Sequence, residues 1–176
     1  MIYYCQDNVM IRNMVPSDAQ IITDAEIAQG WHQTADKYRM RLRHQEEGRA
    51  IALVAEYNGA VAGYINVYPD SGQGAFAGRG YPEIVDLGVL EKYRRKGIGT
   101  RLMDTAEQIA AGYSNTVYLG VGLHSGYGSA QRMYARRGYI PDGSGVWYKD
   151  SPCPPYDSSC RNDDDLVLYL SKKLRL

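Results

Sequence analysis

Phenylalanine is nearly missing from this chain: Phe76 is the one instance in 176 residues, against sixteen tyrosines. A core built from such a sequence must use tyrosine, which packs like a hydrophobe but needs a partner for its hydroxyl when buried. Cysteine is almost as scarce. Cys5, Cys153 and Cys160 form an odd, sparse set, which predicts no disulfide framework. The last two have no second Cys/His pair at zinc spacing, so no metal is expected. No apolar run approaches the roughly 18 residues of a membrane span, which predicts no membrane partner. The opening stretch MIYYCQDNVMIRNM lacks the basic region and apolar run of a secretory signal. A reduced cytoplasm is the expected setting. A charge surplus is absent as well: 20 Lys and Arg balance 20 Asp and Glu, with a pI near 6.8. That excludes the broad basic footprint of a nucleic-acid binder and leaves any anion site to be local.

What is present is an ordinary globular composition, 44% hydrophobic and 23% charged, on a chain long enough to bury a full core without staples. One domain over 1–176 is expected, with no internal repeat and no linker. Val9 to Asn13 reads as a short strand. Pro16-Ser17-Asp18 supplies a helix start, with Ser17 or Asp18 as the cap, and the helix covers Ala19 to Ala28. A second helix runs from Thr34 to about Glu47 and stops at Gly48. In AIALVAEYNGAVAGYINVY two β-rich runs flank Asn58-Gly59, the preferred pair for a two-residue hairpin turn. Pro69 to Tyr81 is a glycine-rich loop, long enough to hint at a lid. Strands follow at Glu83–Val89 and Thr116–Val121, around Gly145 to Tyr148, and at Leu166–Leu170. Helices are expected from Gly97 to near Gly112, on the periodicity of Ile98, Leu102, Met103, Ala106, Ile109 and Ala110, and over Ser129–Arg137. The order predicts an α/β layered domain with a mixed sheet and about four helices.

The stretch EKYRRKGIGTRLM, Glu91 to Met103, is unusual. Arg94, Arg95 and Lys96 run straight into Gly97-Ile98-Gly99, and a helix starts at once. A helix N-terminus carries unpaired N–H groups and the positive end of the dipole. Glycine lets a ligand approach that backbone closely. Cations beside such groups make an anion site suited to a pyrophosphate, Arg94 through Thr100. A plain strand-to-helix turn with a solvated basic run is the alternative. The P-loop pattern GxxxxGK[ST] does not occur. Gly120-Val121-Gly122-Leu123-His124-Ser125-Gly126 resembles a dinucleotide motif only loosely and lacks a preceding βαβ unit.

VDLGVLEKYRRKGIGTRLM resembles the acetyl-CoA signature of the GNAT superfamily of N-acetyltransferases, whose core (Gln/Arg)-x-x-Gly-x-(Gly/Ala) is seen here as Arg94-Arg95-Lys96-Gly97-Ile98-Gly99. SAQRMYARRGY resembles that family's second signature, through Ala130, Tyr134, Gly138 and Tyr139; Tyr127 stands where the family often has asparagine. The resemblance implies a single-domain mixed sheet in which two parallel strands, Glu83–Val89 and Thr116–Val121, splay around acetyl-CoA. It implies an acetyltransferase with a small-molecule or peptide amine as acceptor, and, as in many relatives, a homodimer. Main-chain groups of Leu87 and Val89 would hold the pantetheine and orient the thioester, Ala130 would line the same arm, and Arg94 to Thr100 would take the pyrophosphate. Tyr134 resembles the family's general acid. Glu83 lies eleven positions before Arg94, where the histone-modifying branch places its base. Asp86, His124 or water are alternatives for that role. A non-catalytic acyl-CoA sensor of the same fold and a dinucleotide enzyme are rival functions. The acidic residues Asp142, Asp150, Asp157 and Asp163 to Asp165 could attract a cationic amine or simply keep a loop solvated.

Overall fold

The computed structural model describes residues 1–174. These form a mixed α/β structure of nine strands and four α-helices. They group into two compact units, Met1–Tyr68 with Ile84–Ile109, and Pro69–Glu83 with Ala110–Leu174.

The first unit opens on a strand that sequence periodicity did not register. β1 (Ile2–Gln6) and β2 (Val9–Asn13) form an antiparallel hairpin. Its turn residues Asp7 and Asn8 both have positive φ, 50° and 67°, the backbone of a tight hairpin turn made without glycine. Helix α1 (Pro16–Ala28) starts with proline in its first turn, where the missing N–H costs nothing. Asp18 acts from inside the helix rather than as the cap itself. Its carboxylate accepts from the Val15 N–H at 2.7 Å and from Arg12 at 2.7 Å and 3.0 Å, while Arg12 also reaches Glu56. Helix α2 (Ala35–Glu46) follows, then the Asn58-Gly59 hairpin of β3 (Ile51–Tyr57) and β4 (Ala60–Tyr68). Within this unit the strand order is β1-β2-β3-β4-β5, with β5 spanning Glu83–Val89. Alternate residues Ala52, Val54 and Tyr64 pack with Met14, Ala19, Ile22, Tyr38 and Leu42 of the helical layer, as the two-residue period of a strand requires. Helix α3 (Ile98–Ala111) buries Ile98, Leu102, Met103, Ala106 and Ala110, the stripe its periodicity predicts.

The second unit holds β6 (Thr116–Gly122), α4 (Gly128–Arg136), β7 (Ile140–Tyr148), β8 (Ser151–Pro152) and β9 (Leu166–Lys173), with strand order β6-β9-β7-β8. The parallel register of β5 with β6 is a single pair, Glu83↔Tyr118. The glycine-rich loop is pinned rather than open. Phe76 sits among Tyr118, Tyr169, Tyr81 and Trp147, the Gly74 N–H donates to Asp150 at 2.7 Å, and Tyr118 donates to the Gln73 carbonyl. The one phenylalanine therefore anchors the longest loop between strands. Cysteine count predicted no disulfide framework, and it did not foresee the single bridge between Cys153 and Cys160, whose Cα atoms lie 6.4 Å apart. A count over the whole chain looks for a framework, whereas this bridge closes one short loop. Cys5 is free and exposed.

Candidate functional site

The turn from β5 to α3 lies wholly in the first unit. Leu90 is buried and its N–H donates to the Ala62 carbonyl at 2.9 Å, which ties the turn to the sheet. A single 3₁₀ turn, Glu91–Tyr93, then leads to Arg94 in extended conformation and Arg95 at φ 61°. Gly97 has φ 75°, a left-handed conformation that costs an L side chain roughly 1–2 kcal/mol. Its carbonyl accepts from the Arg101 N–H at 3.0 Å, so Gly97 stands at the cap and the N–H groups of Ile98, Gly99 and Thr100 have no intrahelical acceptor. Space around Gly97 is open to 4 Å, and a Cβ on Gly99 would meet only Val89 Cγ2 at 3.5 Å. Conformation demands glycine at position 97; packing demands it at neither. Arg94, Arg95 and Lys96 are exposed. Arg94 lies 3.5 Å from Glu91 and stacks over Trp31, and Lys96 lies over the Tyr57 ring. Fold and sequence thus bring Arg94, Arg95, Lys96, Gly97, Ile98, Gly99 and Thr100 into one turn: exposed cations around free amides, with room for a ligand. The aromatic supports Trp31 and Tyr57 had no local signal, because they come from distant stretches of chain.

Upstream, β5 breaks its own pleat. Asp86 has φ 57° inside the strand, as at a bulge, where the groups that follow are re-aimed. Leu87 and Val89 are half-buried on either side of the buried Gly88. The Asp86 carboxylate is paired. Arg41 of α2 donates to it from Nε at 2.9 Å and Nη2 at 2.5 Å, and Lys37 Nζ lies 3.4 Å away. Arg41 also donates to Tyr68 Oη at 2.5 Å, and that hydroxyl lies 2.7 Å from His44 Nδ1. Burial works against the charge on Arg41, but Asp86 and Tyr68 more than offset it and the net shift is upward. Burial also depresses the His44 pKa, helped by the cations Arg49 and Arg41. Two cations of α2 therefore occupy the Asp86 carboxylate. Sequence reasoning found Asp86 but not Arg41, forty-five positions away.

Behind the same strand, Glu26 is fully buried and accepts from Tyr38 and Tyr64, both at 2.5 Å. Burial, reinforced by Glu26, raises both phenols above their usual range. The Tyr64 ring lies against Gly88, where a Cβ would fall 2.3 Å from Cζ. Tyr64 is therefore a core residue.

In the second unit Glu83 is half-buried and accepts from Ser71 Oγ at 2.5 Å. Its charge adds to burial in raising Tyr118 and Tyr169. Tyr134 is 6% exposed on α4, and its ring lies 5.8 Å from that of Tyr139. Ala130 is half-buried on the same helix, and Gln131 donates to the Gly122 carbonyl at 2.8 Å. His124 lies 2.9 Å from Asp164, to which Tyr127 also donates at 3.0 Å; Asp163 accepts from Tyr148. Asp163 and Asp164 therefore serve internal hydrogen bonds, as do Asp142, Asp150 and Asp157, which accept from the Ser144, Gly74 and Ser159 N–H groups. Among the described residues no cluster of His, Cys, Asp and Glu could hold a metal ion, and no helix is long and apolar enough to cross a membrane.

Residues 19–139 match the family model described as Acetyltransferase (GNAT) family. A mycothiol acetyltransferase from Mycolicibacterium vanbaalenii is 34% identical over 106 residues, 57% of this chain. The match spans only about a third of that relative's own length, 32%. Among solved structures, Ard1 from Thermoplasma volcanium superposes with a TM-score of 0.68 at 20% identity, covering 97% of this chain and 100% of that one. The Salmonella typhimurium protein yncA, solved with its cofactor acetyl-CoA, gives 0.65 at 17% identity, covering 96% and 95%. At such identities the structures establish likeness of fold.

Proposed function

The chain belongs to the GNAT acetyltransferase family, and on that premise we propose that it moves the acetyl group of acetyl-CoA to a primary amine by direct attack on the thioester. One observation carries the proposal: exposed Arg94, Arg95 and Lys96 run directly into a glycine-capped helix start, whose first N–H groups have no intrahelical acceptor. That is the donor set a diphosphate needs, and the open space at Gly97 leaves room for it.

Each further role rests on chemistry required of the step. Acetyl-CoA supplies an acyl carbon already activated as a thioester. The N–H groups of Ile98, Gly99 and Thr100 hold the diphosphate, with Arg94, Arg95 and Lys96 neutralising it. Leu87 and Val89 are assigned to hold the pantetheine arm through their main-chain groups, and Ala130 is assigned to the same arm on the family resemblance. The Val89 N–H is the donor for the oxyanion that develops as the C–N bond forms. An alkylammonium, with a pKa near ~10.4 like that of lysine, has no lone pair until it loses a proton. Glu83 is assigned to accept that proton, directly or through water. Its acceptor capacity is partly used by Ser71, a contact that also fixes its rotamer. As the C–S bond breaks, Tyr134 donates its hydroxyl proton to the departing thiolate. Low exposure of Tyr134 keeps competing water away from that hydroxyl.

The test is release of free CoA thiol from acetyl-CoA across small amines, polyamines and peptides with free N-termini, alongside calorimetry of acetyl-CoA binding. Amine-dependent thiol release with stoichiometric N-acetylated product is expected. Tight binding without turnover on any acceptor would replace the enzyme with a sensor. Absence of binding would overturn the site itself.

A further inference from the structure

The conformation of Asp86 needs an explanation that the strand does not give. Its φ of 57° lies in the left-handed region, which aspartate enters more readily than most L residues in turns but which inside a strand costs energy unless the surroundings hold it there. What holds it comes from α2. Arg41 places Nε and Nη2 on one carboxylate oxygen of Asp86 at 2.9 Å and 2.5 Å, and Lys37 approaches the other at 3.4 Å. The guanidinium is itself fixed, because its Nη1 donates to Tyr68, whose hydroxyl is tied to His44. The Arg41 and Asp86 side chains are 14% and 22% exposed, shielded enough for the pair to be firm. Immediately downstream the Tyr64 ring fills the space above Gly88. The segment that follows Asp86 is the one whose main-chain groups are assigned to the thioester.

We infer that Arg41 is a positioning residue for acyl transfer: by clamping Asp86 in the left-handed conformation it aims the N–H groups of Leu87 to Val89. This rests on the proposed acetyl transfer for its kinetic consequence, but not for its structural one. Arg41 touches Asp86 and Tyr68 and acts through the strand. Its removal should degrade thioester alignment while leaving the diphosphate turn untouched.

The experiment uses three variants of the full chain: Arg41→Ala, Asp86→Gly and the double variant. Glycine enters the left-handed region freely, so Asp86→Gly should keep the bulge without needing a clamp. Arg41→Ala should lower kcat by about tenfold or more, since misplacement of the order of an ångström suffices for that. Its acetyl-CoA Kd should change by less than about threefold, because most of the affinity lies in the diphosphate contacts. The double variant should recover most of the lost kcat. Amide chemical shifts of Leu87, Gly88 and Val89 in the ligand-free protein should move in Arg41→Ala and return in the double variant. This last readout does not depend on activity, so it still tests the clamp if the wild-type protein proves to turn nothing over. If Arg41→Ala does not fold, Arg41→Lys, which keeps charge but not the fork, should show smaller changes of the same sign. Unmoved amide shifts with unchanged kcat in a folded Arg41→Ala would overturn the inference. A double variant no better than Arg41→Ala would overturn it too, since Arg41 would then act on something other than the conformation of residue 86.

Discussion

Replacing Gly97 in two ways separates its conformational role from its place beside an anion. Gly97→Ala adds a methyl group that meets nothing within 4 Å. Its cost is then the left-handed conformation alone, φ 75°, roughly 1 kcal/mol for a residue with a Cβ. For a chain of this size that corresponds to a fall in Tm of about 2–4 °C. Gly97→Asp carries less strain, since aspartate visits this conformation more readily. At the cap its carboxylate can accept from the Gly99 or Thr100 N–H, which stabilises a helix by about 1 kcal/mol relative to alanine. The aspartate variant should therefore melt at or above the alanine variant. Affinity for acetyl-CoA should order the other way. Two unit charges about 6 Å apart at an effective dielectric of about 20 repel by roughly 3 kcal/mol. Screening at physiological salt, with a Debye length of about 8 Å, halves that to roughly 1.4 kcal/mol, a tenfold loss. A diphosphate carries more than one charge and loses the same N–H groups to the carboxylate, so tenfold is a floor. Arg94→Ala in the same chain should deepen the loss. Calorimetry at low and high salt, with melting curves of both variants, reads all of this. If Gly97→Asp binds acetyl-CoA as tightly as the wild type, or if Gly97→Ala loses as much affinity as Gly97→Asp, the anion site is wrong.

Three further outcomes are expected. Tyr134→Phe should lower kcat by at least about tenfold, at the lower edge of what a general acid contributes, with acetyl-CoA affinity nearly unchanged; equal losses in both would make Tyr134 a packing residue. Glu26→Ala strips the acceptor from two buried hydroxyls and should destabilise the fold by about 3 kcal/mol in urea titration. Glu26→Gln, which keeps a carbonyl oxygen, should cost less, and equal costs would show that volume rather than hydrogen bonding matters there. Alkylation of denatured, unreduced protein should modify one cysteine, Cys5, and three after reduction. Three before reduction would remove the Cys153–Cys160 bridge.

The elements that were legible in the chain are those with a local cause. Asn58-Gly59 dictates its hairpin because both residues tolerate positive φ, and the α3 stripe is legible because apolar residues recur at the helical period. The basic turn before α3 is legible for the same reason: cations, glycine and helix start are consecutive. β1 was not, since Asp7 and Asn8 do the work usually left to glycine and the strand itself, IYYCQ, offers no apolar–polar alternation. The short Cys153–Cys160 bridge was hidden by a count that treats cysteines as a framework.

By itself, then, the sequence determined the helices, the hairpin, the family signature and the glycine-capped basic turn, all of which depend on residues within a few positions of one another. Tertiary structure alone decided the state of the side chains. It paired Asp86 with Arg41, buried Glu26 between two tyrosines, and set Phe76 as the anchor of a loop that composition alone suggested was free. Such pairings join residues tens of positions apart. A carboxylate's role depends on which charge stands beside it, and that is fixed only when helix and strand meet.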